Sequence, residues 1–306
     1  MASAAPSEPP HARKARLEEV VSRLAADIGP RNIYHPRALE RAADYIEVAF
    51  AQMGYRPWRQ TYTARGHRFS NIVAERAAAV PSARTLVVGA HYDTHKDSPG
   101  ANDNGSALAS LLELARAAAA RNGGQKLRFV AFTNEETPFT RTAHMGSWVY
   151  ARECRAKGEE IAGMVGLEML GSYSDEPGSQ RLSLRGLLLP RRGDFIALVG
   201  NRRSRELMRT AAAALRQPGS VLVQAWTLPT HFPGAWSSDH WSFWKHDYPA
   251  VMVTDTGPLR YRHYHTREDM PDKIDFAWLE GVTNVLEALL ADLARWSPVG
   301  ALANKL

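Results

Sequence analysis

The sequence predicts an α/β fold: a single domain with a mixed, mostly parallel central sheet and helices on both faces. Three observations predict it. Short apolar runs rich in β-branched residues alternate along the chain with amphipathic Ala/Leu-rich stretches, the pattern of strands buried on both faces. The run at residues 85–88 passes through Gly89 and Ala90 into a polar loop, and a helical stretch follows from Ser106 to Ala120, which makes a strand-loop-helix unit. No Ser/Gly/Pro-rich linker divides the 306 residues, a length that α/β units often reach as one domain.

Taken in order, residues 14–28 place Leu17, Val20, Val21, Leu24 and Ile28 on one helical face, and Gly29-Pro30 ends that helix. Residues 37–53 form a second amphipathic helix that stops at Gly54. Alternation around Gly66-His67 predicts a hairpin leading into the strand at 85–88. Beyond the helix at 104–121 the pattern gives strands at 127–133, 161–167, 221–227 and 250–255. Helices fall at 146–157, 203–216, 237–245 and 275–296. Residues 171–202 carry few regular signals and read as a lid or pocket wall, or as a surface excursion containing a hairpin. Residues 1–14 are expected to be a disordered tail, 15–300 the folded domain and 301–306 a C-terminal tail.

Composition narrows the function. The hydrophobic content of 44% is that of a globular protein, and no apolar run approaches the roughly 20 residues that span a bilayer. The first residues lack the apolar core of a secretory signal, so the expected location is the cytoplasm and no membrane partner is expected. The formal charge of +6 is scattered and carries no aromatic-basic motif, which argues against a nucleic-acid partner. Cys154 is the only cysteine; it excludes an internal disulfide and reads as a packed thiol. The sequence leaves the oligomeric state open.

Four motifs each end a predicted strand. His91-Tyr92-Asp93 follows the first, with Asp103 in the turn after it; Asn134-Glu135-Glu136 follows the strand at 127–133; Glu168 follows 161–167; Tyr264-His265-Thr266 follows 250–255 by a short loop. Open α/β sheets place their chemistry at this rim. Adjacent glutamates at the end of an apolar strand repel each other unless cations or water cover them. An acid within an apolar segment, such as Glu168, needs a partner. A His and an Asp with no Ser or Cys nucleophile nearby fit metal ligands better than a covalent triad.

These residues carry a resemblance. Together, in one order, residues 91–93, 99–104, 134–136, 167–171, 238–244 and 263–266 resemble the co-catalytic zinc aminopeptidases of family M28. The resemblance runs from about residue 15 to the last helix and implies a zinc-dependent exopeptidase that acts on peptides with a free N-terminus. It makes His91, Asp103 and Glu168 ligands of one zinc, and Asp103, Glu136 and His265 ligands of a second, so that Asp103 bridges two ions. Glu135, beside a ligand but not itself one, becomes the general base, and Asp93 is placed to accept the other imidazole N–H of His91 and fix its tautomer. Two ions sharing a carboxylate and a water lower the pKa of that water from ~15.7 toward neutrality and polarise the scissile carbonyl. The resemblance also implies a cis Asp103-Asn104 peptide bond.

Two departures mark this chain. Glu168 stands where the better-known aminopeptidases have Asp, and residues 137–144 form a longer link than is usual in the family. The alternatives are a one-zinc glutaminyl cyclase-like enzyme, a carboxypeptidase or deacylase relative, and a metal-free binding module. His91 and Glu168 weigh against the first, and a full set of competent ligands weighs against the last. His95, His240, His246 and His263 are read as outside the ligand set, with His240 and His263 the best candidates to support it. Phe232, Trp236, Trp241 and Trp244 read as core residues, and Arg192-Gly193-Asp194 as a chance match.

Overall fold

The computed structural model describes residues 12–78, 84–121, 124–181, 190–215, 221–232, 234–235 and 237–296. The two expected tails therefore lie outside the described residues, except that residues 12–14 already belong to the first helix. Helix α1 (Ala12–Ser22) runs into a wide π-type turn at Arg23–Ile28, and Gly29 ends it with a φ of +78°. Leu17, Val21, Leu24 and Ile28 are buried, as their spacing requires. Helix α2 (Pro36–Gln52) begins on a proline at its first position, where no amide hydrogen is needed.

The hairpin β1 (Trp58–Ala64) and β2 (His67–Arg76) turns on Arg65 and Gly66, both at positive φ, the geometry that matches the twist of paired strands. The remaining strands are β3 (Thr85–His91), β4 (Lys126–Phe132), β5 (Ile161–Glu168), β6 (Phe195–Gly200), β7 (Leu222–Thr227) and β8 (Ala250–Thr254). The remaining helices are α3 (Ala107–Ala119), α4 (Gly146–Ala156), α5 (Arg205–Leu215), α6 (His240–Lys245) and α7 (Phe276–Leu293). One eight-stranded sheet has the order β1-β2-β4-β3-β5-β8-β6-β7. Its central strands β4, β3, β5 and β8 are mutually parallel, and the antiparallel β1-β2-β4 and β6-β8 pairs make it mixed.

Side chains alternate across this sheet and build two cores. Leu86, Val88, Ala90, Val165 and Leu167 pack with residues of α1, α2, α3, α5 and α7, whereas Val87, Val130, Phe132 and Met164 pack with α4 and α6. Both faces are thus covered, as predicted. Gly89 is required at the centre of β3, because a Cβ there would stand 2.3 Å from the Phe132 ring.

Residues 171–202 are not merely a surface excursion. Phe195–Gly200 forms β6, fully buried between β8 and β7, so the last third of the segment is sheet core. Ser174 and Gly193 make a single antiparallel bridge ahead of it, and residues 182–189 lie outside the described set. Among the described residues no helix is long and apolar enough to cross a membrane.

Candidate metal centre

Because β4, β3, β5 and β8 are adjacent and parallel, the loops that leave them open on one edge of the sheet. His91 and Phe132 are register partners at the ends of β3 and β4, so the residues just past them meet. The Asp93 carboxylate accepts N–H from Glu135 at 3.0 Å and from Glu136 at 3.1 Å. It thereby fixes the turn that presents both glutamates. Asn134 at φ +59° starts that turn.

His91 Nδ1 faces the main-chain carbonyl of Asp93 at 3.1 Å, while the Asp93 carboxylate stays 3.6 Å away. The carbonyl accepts the Nδ1 proton, which leaves Nε2 as the free nitrogen. The carboxylate is drawn off by two amides that have left the sheet ladder and have no other acceptor in it.

Asp103 stands in the turn at Ala101–Ser106, and its peptide bond to Asn104 is cis, as the resemblance implied. Other side chains of the turn grip the chain beyond β5. Asn104 Oδ1 accepts N–H from Met169 at 2.8 Å, Asn102 Oδ1 accepts from Gly171 at 2.8 Å, and Ser106 Oγ accepts from Leu170 at 3.0 Å. Two supports were not read from the sequence. Arg31, fully buried, donates to the carbonyls of Tyr92 (2.7 Å), Pro99 (2.5 Å) and Gly100 (3.1 Å). Asp269 accepts N–H from Asn102 and Asp103 at 2.8 and 3.1 Å, and the Tyr261 hydroxyl at 2.7 Å.

These supports assemble two clusters around the two carboxylate oxygens of Asp103. His91 Nε2 lies 3.4 Å from Oδ1 and 3.6 Å from Glu168 Oε2. His265 Nε2 lies 3.1 Å from Oδ2 and 3.0 Å from Glu136 Oε1. Within each set of three the ligand atoms fall within 4.8 Å of one another. Ligand atoms about 2.1 Å from a tetrahedral ion stand roughly 3.4 Å apart, so both sets are sized for a transition-metal ion.

Burial and charge give the same answer. Among the described residues His91 Nε2 is buried without a hydrogen-bond partner, the condition of a nitrogen waiting for a ligand. Asp93, Asp103, Glu135, Glu136, Glu168 and Asp239 converge on two imidazoles, and only Glu168 and His265 are more than slightly exposed. Burial would depress the His91 imidazolium, but Glu168, Asp103 and Asp93 carry it well above its ordinary range. His265 is likewise lifted to about 10, against its burial, by Asp103 and Glu136. Burial pushes Glu135 well up and, aided by Asp103, Glu136 to about 7. Asp103 also resists burial; His265 and His91 hold it well below the carboxylate range. Such an excess of buried acid is stable only with protons or cations added.

Asp239 is the acid that sequence reading missed. It is buried, its carboxylate makes no close hydrogen bond among the described residues, with Ser147 the nearest hydroxyl that acts on it, and burial raises it to about 7. Its one signal was its place at the start of the motif at 238–244, whose Ser238 Oγ donates to Glu168 at 2.6 Å. Among the histidines read as outside the ligand set, His95 stacks flat on His265 at 4.1 Å. His240 Nε2 pairs with the Ala235 carbonyl at 2.7 Å, and His263 packs edge-on to Tyr261 at 5.5 Å.

The sequence profile of Peptidase family M28 matches residues 71–290. The chain belongs to peptidase family M28. It is 35% identical over 298 residues to the protein YfbL of Escherichia coli strain K12, covering 94% of this chain and 91% of that one. Its fold is similar to BSAP, a zinc aminopeptidase from Bacillus subtilis, with a TM-score of 0.71, 16% identity and coverage of 94% and 96% of the two chains. Porphyromonas gingivalis glutaminyl cyclase shares that fold at a TM-score of 0.66, 18% identity and coverage of 92% and 98%. Membership therefore fixes the fold and the peptidase family, and the chain's own residues must decide the reaction.

Proposed function

We propose that the chain is an aminopeptidase that holds two zinc ions and hydrolyses the N-terminal peptide bond of peptides. His91, Asp103 and Glu168 would hold one ion, and Asp103, Glu136 and His265 the other. The observation that carries this reading is Asp103, whose two oxygens each face a different histidine, at 3.4 and 3.1 Å. A one-zinc cyclase-like site would leave one of the two clusters without a task, although His91 Nε2 in one and His265 Nε2 in the other each face two carboxylates.

Zinc bound there supplies an acidified water and an electrophile for the scissile carbonyl. Glu135 belongs to neither cluster, yet its carboxylate is 3.9 Å from His91 Nε2. It can take the proton of the attacking water and deliver it to the departing amine. Asp93 holds Glu135 and Glu136 in register through their amides. The six carboxyl groups exceed what two divalent ions neutralise, and the residual negative charge favours a protonated N-terminus.

A cavity of about 180 Å³ adjoins the centre at Glu168 and Tyr264, and Met169, Trp226, Met252 and Leu259 line it. An apolar first side chain fits these walls. Leu259 is partly buried and outside the two cores, so Leu259→Trp should narrow the cavity without disturbing them. The ratio of kcat/KM for leucyl over alanyl p-nitroanilide is expected to fall about 10-fold; an unchanged ratio would place the side chain elsewhere.

The decisive experiment pairs zinc per chain with hydrolysis of leucyl p-nitroanilide and its N-acetyl derivative. Two zincs and turnover of the free amine alone are expected; turnover of the acetylated compound would overturn the aminopeptidase reading. Chelation supplies a separate check. Stripping the ions should lower Tm by at least about 5 °C and zinc should restore it, because ligand binding to the folded state alone stabilises by ~4 kcal/mol at a thousandfold excess over Kd. A Tm indifferent to chelator would show that the clusters hold no ion.

A further inference from the structure

The two histidines of the metal centre are held in different ways. His91 is wholly buried, and its Nδ1 faces the Asp93 carbonyl at 3.1 Å, so a hydrogen bond sets the ring and aims Nε2. His265 is partly exposed, and among the described residues no hydrogen bond reaches its Nδ1. Its Nε2 nevertheless stands 3.1 Å from Asp103 and 3.0 Å from Glu136. The torsion that turns an imidazole about its Cβ–Cγ bond is broad, so a neighbour other than a hydrogen-bonding group must set the plane of this ring.

The neighbours are two flat rings. His95 lies on one face of His265, with centroids 4.1 Å apart and planes 2° from parallel, and Tyr264 lies on the other at 3.7 Å and 21°. Rings stacked so closely block rotation of the imidazole out of its plane. The two are not equivalent supports. Tyr264 adjoins His265 in the chain and moves with the same loop, so it cannot by itself fix the ring relative to Asp103.

His95 stands on independent ground. It belongs to the loop that leaves β3, the strand that ends at His91. The residues on either side of it are tied down, because Asn32 Nδ2 donates to the carbonyls of Thr94 and Lys96 at 2.9 and 2.7 Å. Thr94 also exchanges bonds with Arg31: its Oγ1 accepts the Arg31 N–H at 3.0 Å, and its own N–H donates to the Arg31 carbonyl at 3.0 Å. Asn32 and Arg31 are buried, and the His95 carbonyl accepts from Ser98 at 2.8 Å. An ion pair of Arg267 with Asp97 at 3.2 Å joins the same two loops, but its side chains are 79% and 42% exposed, and such pairs contribute little.

We infer that His95 is the positioning residue of the second cluster: its ring holds the His265 imidazole in the plane that aims Nε2 at Asp103 and Glu136, and so sets how tightly that cluster keeps its ion. A flat ring does here what a carbonyl does for His91. Removing a group that orients a ligating imidazole typically weakens metal binding about 10- to 100-fold. This role rests on the ligand set proposed above and is independent of the reaction.

The test titrates zinc into chelator-stripped protein against a competing chelator, for the parent, His95→Ala and His95→Phe, with circular dichroism to establish that each zinc-free protein is folded. In His95→Ala one ion should bind about 10-fold or more weakly while the other keeps its Kd. In His95→Phe, which keeps a flat ring and loses both nitrogens, the two affinities should stay within about 3-fold of the parent. Unchanged affinities in His95→Ala overturn the inference. Equal weakening of both ions, the mark of a merely structural role, also overturns it, as does a loss in His95→Phe as large as in His95→Ala, which would assign the effect to the imidazole nitrogens. A parent that takes up one ion would sink the two-zinc reading, yet the same comparison still decides: weakening by Ala with rescue by Phe supports the role of His95, and an unaltered Kd refutes it. Normal zinc uptake without hydrolysis of leucyl p-nitroanilide would sink the aminopeptidase reading alone, and a folded parent that binds no zinc would overturn both.

Discussion

Replacing Glu135 by Gln should leave zinc per chain unchanged and lower kcat by at least about 10²-fold. Gln keeps the size and the hydrogen-bonding reach of the side chain but can neither accept nor return a proton. The geometry separates this residue from its neighbour. Glu136 lies 3.0 Å from His265 Nε2 and completes a cluster with Asp103, whereas Glu135 completes neither cluster and comes no nearer than 3.9 Å to His91 Nε2. Its amide is fixed on Asp93 at 3.0 Å, so the substitution leaves the turn in place. The two measurements must be read together. Loss of activity with zinc retained assigns proton transfer; loss of both would make Glu135 a ligand; near-normal turnover would remove it from the mechanism.

Most of the fold was legible because its strands are short, apolar and buried on both faces, and its helices carry one apolar stripe. Residues 85–91 show this in seven buried positions. What stayed hidden has physical causes. Residues 195–200 make a strand as buried as β3, but the run is only six residues long and follows a stretch of arginines, glycines and prolines that reads as loop. Periodicity cannot separate so short an apolar run from its surroundings. The π-type turn at Arg23–Ile28 was read as part of a regular helix, since an extra residue per turn leaves the apolar spacing almost unaltered.

For the candidate site, the residues named from sequence do meet at one edge, because each follows one of four adjacent parallel strands. The supports were less legible. Arg31 acts through main-chain carbonyls more than 60 residues away in sequence, and no residue pattern marks a carbonyl as a target. Asp239 sits between Ser238 and His240 in a motif that had been quoted, yet only its burial reveals it as an acid facing the centre. Trp241, expected in the core, is only partly buried, packed against Trp148. An aromatic stripe on a short helix does not tell which ring faces out.

His265→Ala should lose metal and activity together, whereas His263→Ala should keep most of both. The two histidines are two residues apart, but the loop presents them differently. His265, at φ +60° and 27% exposed, directs Nε2 to Asp103 and Glu136 at 3.1 and 3.0 Å. Its ring lies between His95, stacked at 4.1 Å and 2°, and Tyr264 at 3.7 Å and 21°. A ring held on both faces is pre-set for a ligand bond and gives up little freedom in making it. Tyr261 ties the same loop to the Asp103 turn through Asp269, so the position of His265 and that of the shared carboxylate are set together. Among the described residues the His263 ring makes an edge contact with Tyr261 and no ion pair, and its backbone carbonyl, which accepts from Thr266 at 3.1 Å, survives the substitution. In His265→Ala zinc should fall from two per chain toward one, with kcat/KM down at least about 10²-fold. In His263→Ala both should stay within a few-fold of the parent. The reverse ranking would move the ligand to His263 and dissolve the cluster of Asp103, Glu136 and His265.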